Sequence, residues 1–102
     1  MLTTRTQQMI PQLKAYFTDK PIERAWLFGS CSRGEERDDS DVDVLVEFTK
    51  GARISLLKYA GYVCDLEELL HRNVDLVEDG QLLPFAAKTA ERDKIQIYER
   101  GN

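Results

Sequence analysis

Three short features of the chain bring carboxylates and a glycine turn into a pattern suited to metal-assisted chemistry on phosphate. Gly29-Ser30 directly follows a run of strand formers, Asp41-Val42-Asp43 opens a second run, and Asp75 opens a third. Residues two apart on a strand point to one face, so Asp41 and Asp43 project side by side with Cα atoms ~6.6 Å apart. Two such charges repel by ~2.5 kcal/mol at an effective dielectric of about 20. A divalent cation between them turns that repulsion into a binding site, and oxygen donors without His or Cys suit Mg²⁺ or Mn²⁺. If residues 74–78 pair beside residues 42–48, Asp75 adds a third carboxylate. Three carboxylates can hold two ions ~3.5–4 Å apart, an arrangement that stabilises both the attacking and the leaving oxygen in phosphoryl transfer. Gly29 lets the backbone approach a phosphate closely, and the Ser30 hydroxyl with the amides of a helix start can hold phosphate oxygens. The Gly-x4-Gly-Lys-Ser/Thr loop is absent, so phosphate binding of that type is not expected.

The elements that must position these residues follow from periodicity. Thr4 with Gln7 forms a capping-box pattern ahead of Met9, Ile10, Leu13, Tyr16 and Phe17, which recur at helical spacing. Pro11 means that this helix either kinks or begins there, and Lys20-Pro21 ends it. Residues 22–28 predict a strand that stops at Gly29, with Trp26, Leu27 and Phe28 as core rather than a stacking platform. A polar stretch from Ser30 to Ser40 predicts one helical turn and then a solvated loop through Glu35, Glu36, Arg37, Asp38 and Asp39. Residues 42–48 predict the clearest strand, apolar on both faces at its middle and therefore central. Val74-Asp75-Leu76-Val77-Glu78 echoes its start and predicts a strand of similar chemistry.

Between those two strands, Ser55 caps a predicted helix running to about Arg72, with Leu56, Tyr59, Ala60, Val63, Leu66 and Leu70 at a 3.6 period. Asn73 closes it, and His71 faces solvent or favours the helix C-terminus. Residues 82–93 predict a last helix with Pro84 in its first turn, and Ile95, Ile97 and Tyr98 a short terminal strand. The order α-β-(turn)-β-α-β-α-β predicts a small α/β (α+β) domain, with a mixed sheet of three to four strands covered by helices.

Bulk composition bounds the function. A chain of 102 residues with 42% apolar and 31% charged residues fits one globular domain over residues 1–102. Its 18 acidic against 14 basic residues give a net charge of -4, which argues against nucleic acid as the main partner. One His (His71) and two distant thiols (Cys31, Cys64) make neither a zinc site nor a disulfide framework. No apolar stretch approaches ~18 residues and no secretory pattern opens the chain, so the expectation is a cytoplasmic protein with reduced thiols and no membrane partner.

Each chemical feature also has an ordinary explanation. Asp41 and Asp43 could be solvated strand-start residues with Ser40-Asp41 as turn chemistry, and Gly29-Ser30 a plain turn with Ser as N-cap. Asp75 could simply mark a helix–strand junction. Arg33 could touch phosphate, brace the loop, or pair with Glu35 or Glu36.

The combined pattern is more specific than its parts. Gly29-Ser30-x2-Arg33-Gly34-x5-Ser40-Asp41-x-Asp43-x-Leu45, with ten residues between Ser30 and Asp41, resembles the signature of the minimal nucleotidyltransferases of the DNA polymerase β-like superfamily. The resemblance spans roughly residues 10–98, and Asp75 stands where that family keeps a third carboxylate. It implies a polymerase β-like nucleotidyltransferase fold, two Mg²⁺ ions (Mn²⁺ possible) and ATP as donor. By that likeness Asp41 and Asp43 ligate both metals, and Asp75 ligates one and helps deprotonate the acceptor hydroxyl. Gly29 and Ser30, with Arg33 as a further candidate, hold the triphosphate. Many such proteins are antitoxins encoded with a HEPN-domain toxin, and some transfer AMP onto a tyrosine of that toxin. The resemblance therefore implies a HEPN-type toxin as partner in a hetero-oligomer. Larger enzymes of the superfamily carry an added acceptor-gripping domain, so the expectation is that another protein chain completes the acceptor site. A rival of a different class is a non-catalytic binding module that neutralises its partner by occupying its surface. An enzyme acting on small molecules such as antibiotics would need the missing substrate domain.

Overall fold

The structure, a computed structural model, describes residues 2–35, 41–80 and 84–101, with the side chains of residues 30, 84–87 and 89 outside the description. The chain order is α1 (Thr4–Thr18), β1 (Ile22–Phe28), α2 (Ser30–Arg33), β2 (Val42–Phe48), α3 (Leu56–Leu70), β3 (Val74–Glu78), α4 (Pro84–Asp93) and β4 (Ile95–Glu99). The four strands form one mixed sheet in the order β3-β2-β1-β4. β1 runs antiparallel to both β2 and β4, whereas β2 and β3 are parallel and joined by α3. This is the mixed α/β arrangement that the sequence predicts, with β2 an inner strand.

Alternation along the strands sorts side chains onto two faces. One face carries Ala25, Leu27, Val42, Val44, Val46, Val74, Leu76 and Ile97 into a core with Met9, Leu13 and Phe17 of α1 and Leu66 and Leu70 of α3. The other face is thinner: Trp26 and Leu45 pack on Ala90 of α4, with Phe28 and Val77 at the border. Lys94 sits over the Trp26 ring, 4.6 Å from its centroid. Trp26, Leu27 and Phe28 are thus core residues as expected, Phe28 half-buried. Asp43 and Leu45 are two apart, as are Asp75 and Val77, so both aspartates belong to the face that carries α4.

Three local expectations need correction. The N-cap of α1 is Thr3, whose hydroxyl accepts from the Thr6 amide at 3.1 Å, rather than Thr4 within a capping box; Gln7 instead donates its side-chain amide to the Leu2 carbonyl. Of the two alternatives for Pro11, a helix that begins there is excluded, since α1 runs through it. It sits on the exposed side, where the lost backbone hydrogen bond is the main cost and the buried stripe of Met9, Leu13 and Phe17 continues past it. α3 stops at Leu70, not near Arg72, because exposed His71 takes the left-handed conformation (φ 55°, ψ 38°) as its C-cap. Its start agrees with expectation: the Ser55 hydroxyl accepts from the Lys58 amide at 3.1 Å. Among the described residues no helix is long and apolar enough to cross a membrane.

Candidate active site

The candidate site lies where β1 ends and β2 and β3 begin. β1 delivers Phe28 opposite Asp43, and the chain turns at Gly29 with φ +72°, a left-handed value natural to glycine. The single turn of α2 follows. Its Ser32 folds back on the carbonyl of Gly29 through both amide (3.2 Å) and hydroxyl (2.8 Å), while fully buried Cys31 anchors it in the main core. The Cys31 thiol also donates to the Asp41 carbonyl at 3.9 Å, tying the turn to the approach of β2.

Parallel pairing of β2 with β3 places Asp43 and Asp75 opposite one another, across a strand spacing of about 4.8 Å. The start of each strand is held independently. The Val42 amide donates to the Asn73 carbonyl at 2.9 Å, and the Val74 amide donates to the Glu67 carboxylate at 3.0 Å. Further along β3, the Tyr59 hydroxyl of α3 donates to the Leu76 carbonyl.

Asp43 is half-buried, and Asp41 and Asp75 are exposed. Burial, then the charges of Asp75 and Asp41, push the Asp43 carboxyl up to about 6, with Arg33 opposing the shift. The charges of Asp75 and Asp41 thus both bear on Asp43, whose ionisation is disfavoured. Among the described residues no group of three acidic, His or Cys side chains is already gathered closely enough to hold a metal.

The donor set nevertheless fits a hard divalent cation. It consists of carboxylate oxygens alone, and a cation there relieves the strain on Asp43. The carboxylate also lies directly against the turn: a Cβ on Gly29 would collide with Oδ2 of Asp43. Gly29 thus lets backbone and carboxylate lie against one another where any other residue would separate them.

Of the remaining candidates, Ser30 opens α2, and its side chain lies outside the description, as do Ser40 and residues 36–40 of the loop expected to be solvated. Arg33 donates to Glu35 at 2.7 Å, one of its expected partners, and to Asp93 at the end of α4 at 3.0 Å. Asp93 was not expected at the site. It lies 60 residues away in sequence, and no local motif marks it.

Residues 11–102 match the polymerase beta nucleotidyltransferase family. The chain belongs to that family. As a nucleotidyltransferase it resembles the protein adenylyltransferase MntA of Thermococcus cleftensis, at 44% identity over 76 residues, 74% of this chain and 75% of the other. It also resembles the solved structure of a candidate minimal nucleotidyltransferase, 35% identical, with a TM-score of 0.59 over 87% of this chain and 86% of that one. Two more distant structures share the fold. One, a toxin–antitoxin with AMP-PNP, is 20% identical with a TM-score of 0.70 over 94% of this chain and 74% of that chain. The other, a tri-AMPylated HEPN toxin from Shewanella oneidensis in complex with MNT antitoxin, is 18% identical with a TM-score of 0.62 over 93% and 70%.

Proposed function

We propose that this nucleotidyltransferase, one domain over residues 1–102, transfers AMP from ATP to a hydroxyl of a partner protein, a tyrosine, and thereby serves as the cytoplasmic antitoxin of a HEPN-domain toxin. The observation that carries this reading is the Asp43–Asp75 pairing beside the Gly29 turn, with the Asp43 carboxylate lying against a backbone able to approach phosphate. The name of the MntA relative supports protein adenylylation, and the AMP-PNP-bound and HEPN-bound structures of the same fold support ATP as donor and the toxin as partner.

In this reading Asp41, Asp43 and Asp75 would hold two Mg²⁺ ions, or Mn²⁺, which would supply neutralisation of triphosphate charge and polarisation of the reacting oxygens. Gly29 and Ser30 hold the phosphates, with Arg33 at their side. Asp75 accepts the proton of the acceptor hydroxyl. The freed oxygen forms a bond to the α-phosphorus, the bond to the bridging oxygen breaks, and pyrophosphate leaves with that electron pair.

Mass spectrometry of the partner after incubation with the chain and Mg-ATP tests the proposal. Each transferred AMP unit adds ~329 Da to the partner, as expected for a phosphodiester product of in-line transfer. Asp75→Asn should slow that addition by orders of magnitude while leaving binding to the partner intact. A partner fully neutralised at unchanged mass, by wild type and Asp75→Asn alike, would establish a non-catalytic binding module instead.

A further inference from the structure

We infer that Asp93 is a positioning residue for the phosphate-binding turn, acting through Arg33; this rests on the proposed role of Gly29 and Ser30 in holding the triphosphate. The argument begins with a local preference that the sequence breaks. Asp93 is the last residue of α4, where the helix dipole presents its negative end and an acidic side chain is disfavoured. The side chain is nonetheless only 11% exposed. A carboxylate that sits against both its helix and its desolvation needs compensation, and two guanidinium groups supply it. Arg33 donates through Nη1 at 3.0 Å and Arg92 through Nε at 3.2 Å.

Only one of those partners belongs to α4. Arg33 comes from α2, a four-residue helix too short to persist without tertiary support. Buried Cys31 fixes α2 to the core on one side, and the Arg33–Asp93 pair fixes it to α4 on the other. Arg33 is further engaged by Glu35, so two carboxylates answer its charge and its fork is committed to bracing the turn. A residue distant from the motif thereby sets where the Gly29-to-Arg33 backbone stands relative to Asp43. Placement of this kind acts on groups bound by the turn, the β- and γ-phosphates, and not on the rest of the nucleotide.

The test measures dissociation constants of the full chain for AMP-PNP and for AMP, each with Mg²⁺, in wild type, Arg33→Ala, Asp93→Ala and the double variant. Asp93→Asn, which keeps the shape of the side chain, accompanies them in case Asp93→Ala does not fold. The expected result is about tenfold weaker AMP-PNP binding in each single variant, AMP binding within about twofold of wild type, and a double variant no weaker than the singles, the non-additivity of a shared device. A general loss of fold would weaken AMP and AMP-PNP together and would overturn the inference. So would unchanged AMP-PNP binding in the Asp93 variants, or penalties that add, which would assign Arg33 an independent contact with phosphate. Ser30→Ala and Asp43→Asn separate the two levels of argument. If they abolish AMP-PNP binding while Asp93 variants are silent, only the role of Asp93 fails; if they too are silent, the reading of the site itself fails.

Discussion

Gly29 and Asp43 lie so close together that the Asp43 carboxylate occupies the place a Cβ on residue 29 would take. Gly29→Ala should therefore act on function more than on folding. The left-handed backbone costs an alanine about 1 kcal/mol, and the Asp43 carboxylate can swing away from the new methyl. Gly80→Ala is the matched control, since Gly80 has φ +94° and open space around it. Both variants should melt several degrees below wild type, yet only Gly29→Ala should lose its stabilisation by Mg-ATP. Equal responses to Mg-ATP would show that the close approach is incidental.

The strained ionisation of Asp43 makes a prediction about pH. Its carboxyl is raised from 3.8 to about 6, so the folded chain keeps a proton that the unfolded chain releases. The contribution is complete below about pH 4 and is lost as pH rises through about 6. The loss should be about 1–2 kcal/mol, below the full linkage value because solvent screens a half-buried carboxylate. Urea unfolding between pH 4 and 8 checks this by comparison with Asp43→Asn, which should remove that part of the slope and be the more stable protein at pH 8. Parallel pH profiles for the two chains would exclude the effect.

Metal and nucleotide should stabilise the fold together. Ligands that bind only the folded state contribute about 2.7 kcal/mol at a hundredfold excess over their dissociation constant. Differential scanning fluorimetry with Mg²⁺ and ATP should show the corresponding rise in Tm for the wild type. Asp41→Asn combined with Asp43→Asn should abolish the rise while leaving the unliganded protein as stable or slightly more so. A rise that survives in the double variant would place the ligands elsewhere.

Glu67 tests how closely the third carboxylate must be held. Its carboxylate takes the Val74 amide one residue before Asp75. Glu67→Ala should cost about 1–2 kcal/mol by leaving that donor unpaired. It should also slow transfer to the partner about tenfold, since small misplacements of reacting groups are expensive. Mg-ATP binding should change little, because Asp41 and Asp43 stay in place. Transfer at the wild-type rate would show that β3 holds Asp75 without this bond.

Much of this arrangement is legible in the sequence because the decisive interactions are local. The strands at 22–28, 42–48 and 74–78 announce themselves through Val, Leu, Ile and Trp runs that end at Gly29, Phe48 and Asp79-Gly80. That Asp75 stands beside Asp43 is only conditional in the sequence, since the neighbour of residues 74–78 is chosen by the sheet, which pairs them with residues 42–46. Helix ends are less legible. Thr3 and Thr4 are equivalent as caps until the backbone chooses, and nothing in His71 signals a left-handed residue. Asp93 is illegible in principle, since its meaning depends on a partner 60 residues away. Its one signal, an acid at the end of the helix predicted over residues 82–93, calls for a cationic partner without saying which.

The position of β3 gives the site a mechanical asymmetry. Asp43 lies on an inner strand laddered on both sides, whereas Asp75 lies on a terminal strand laddered to β2 alone. Opening a terminal strand breaks half as many ladders as opening an inner one, so native-state fluctuations concentrate there. The constellation therefore spans two parts of unequal local stability: a firm half that carries the turn and Asp43, and a softer half that contributes Asp75. Any ligand bridging Asp43 and Asp75 adds a cross-link between the two strands, fastening the sheet at its loosest margin.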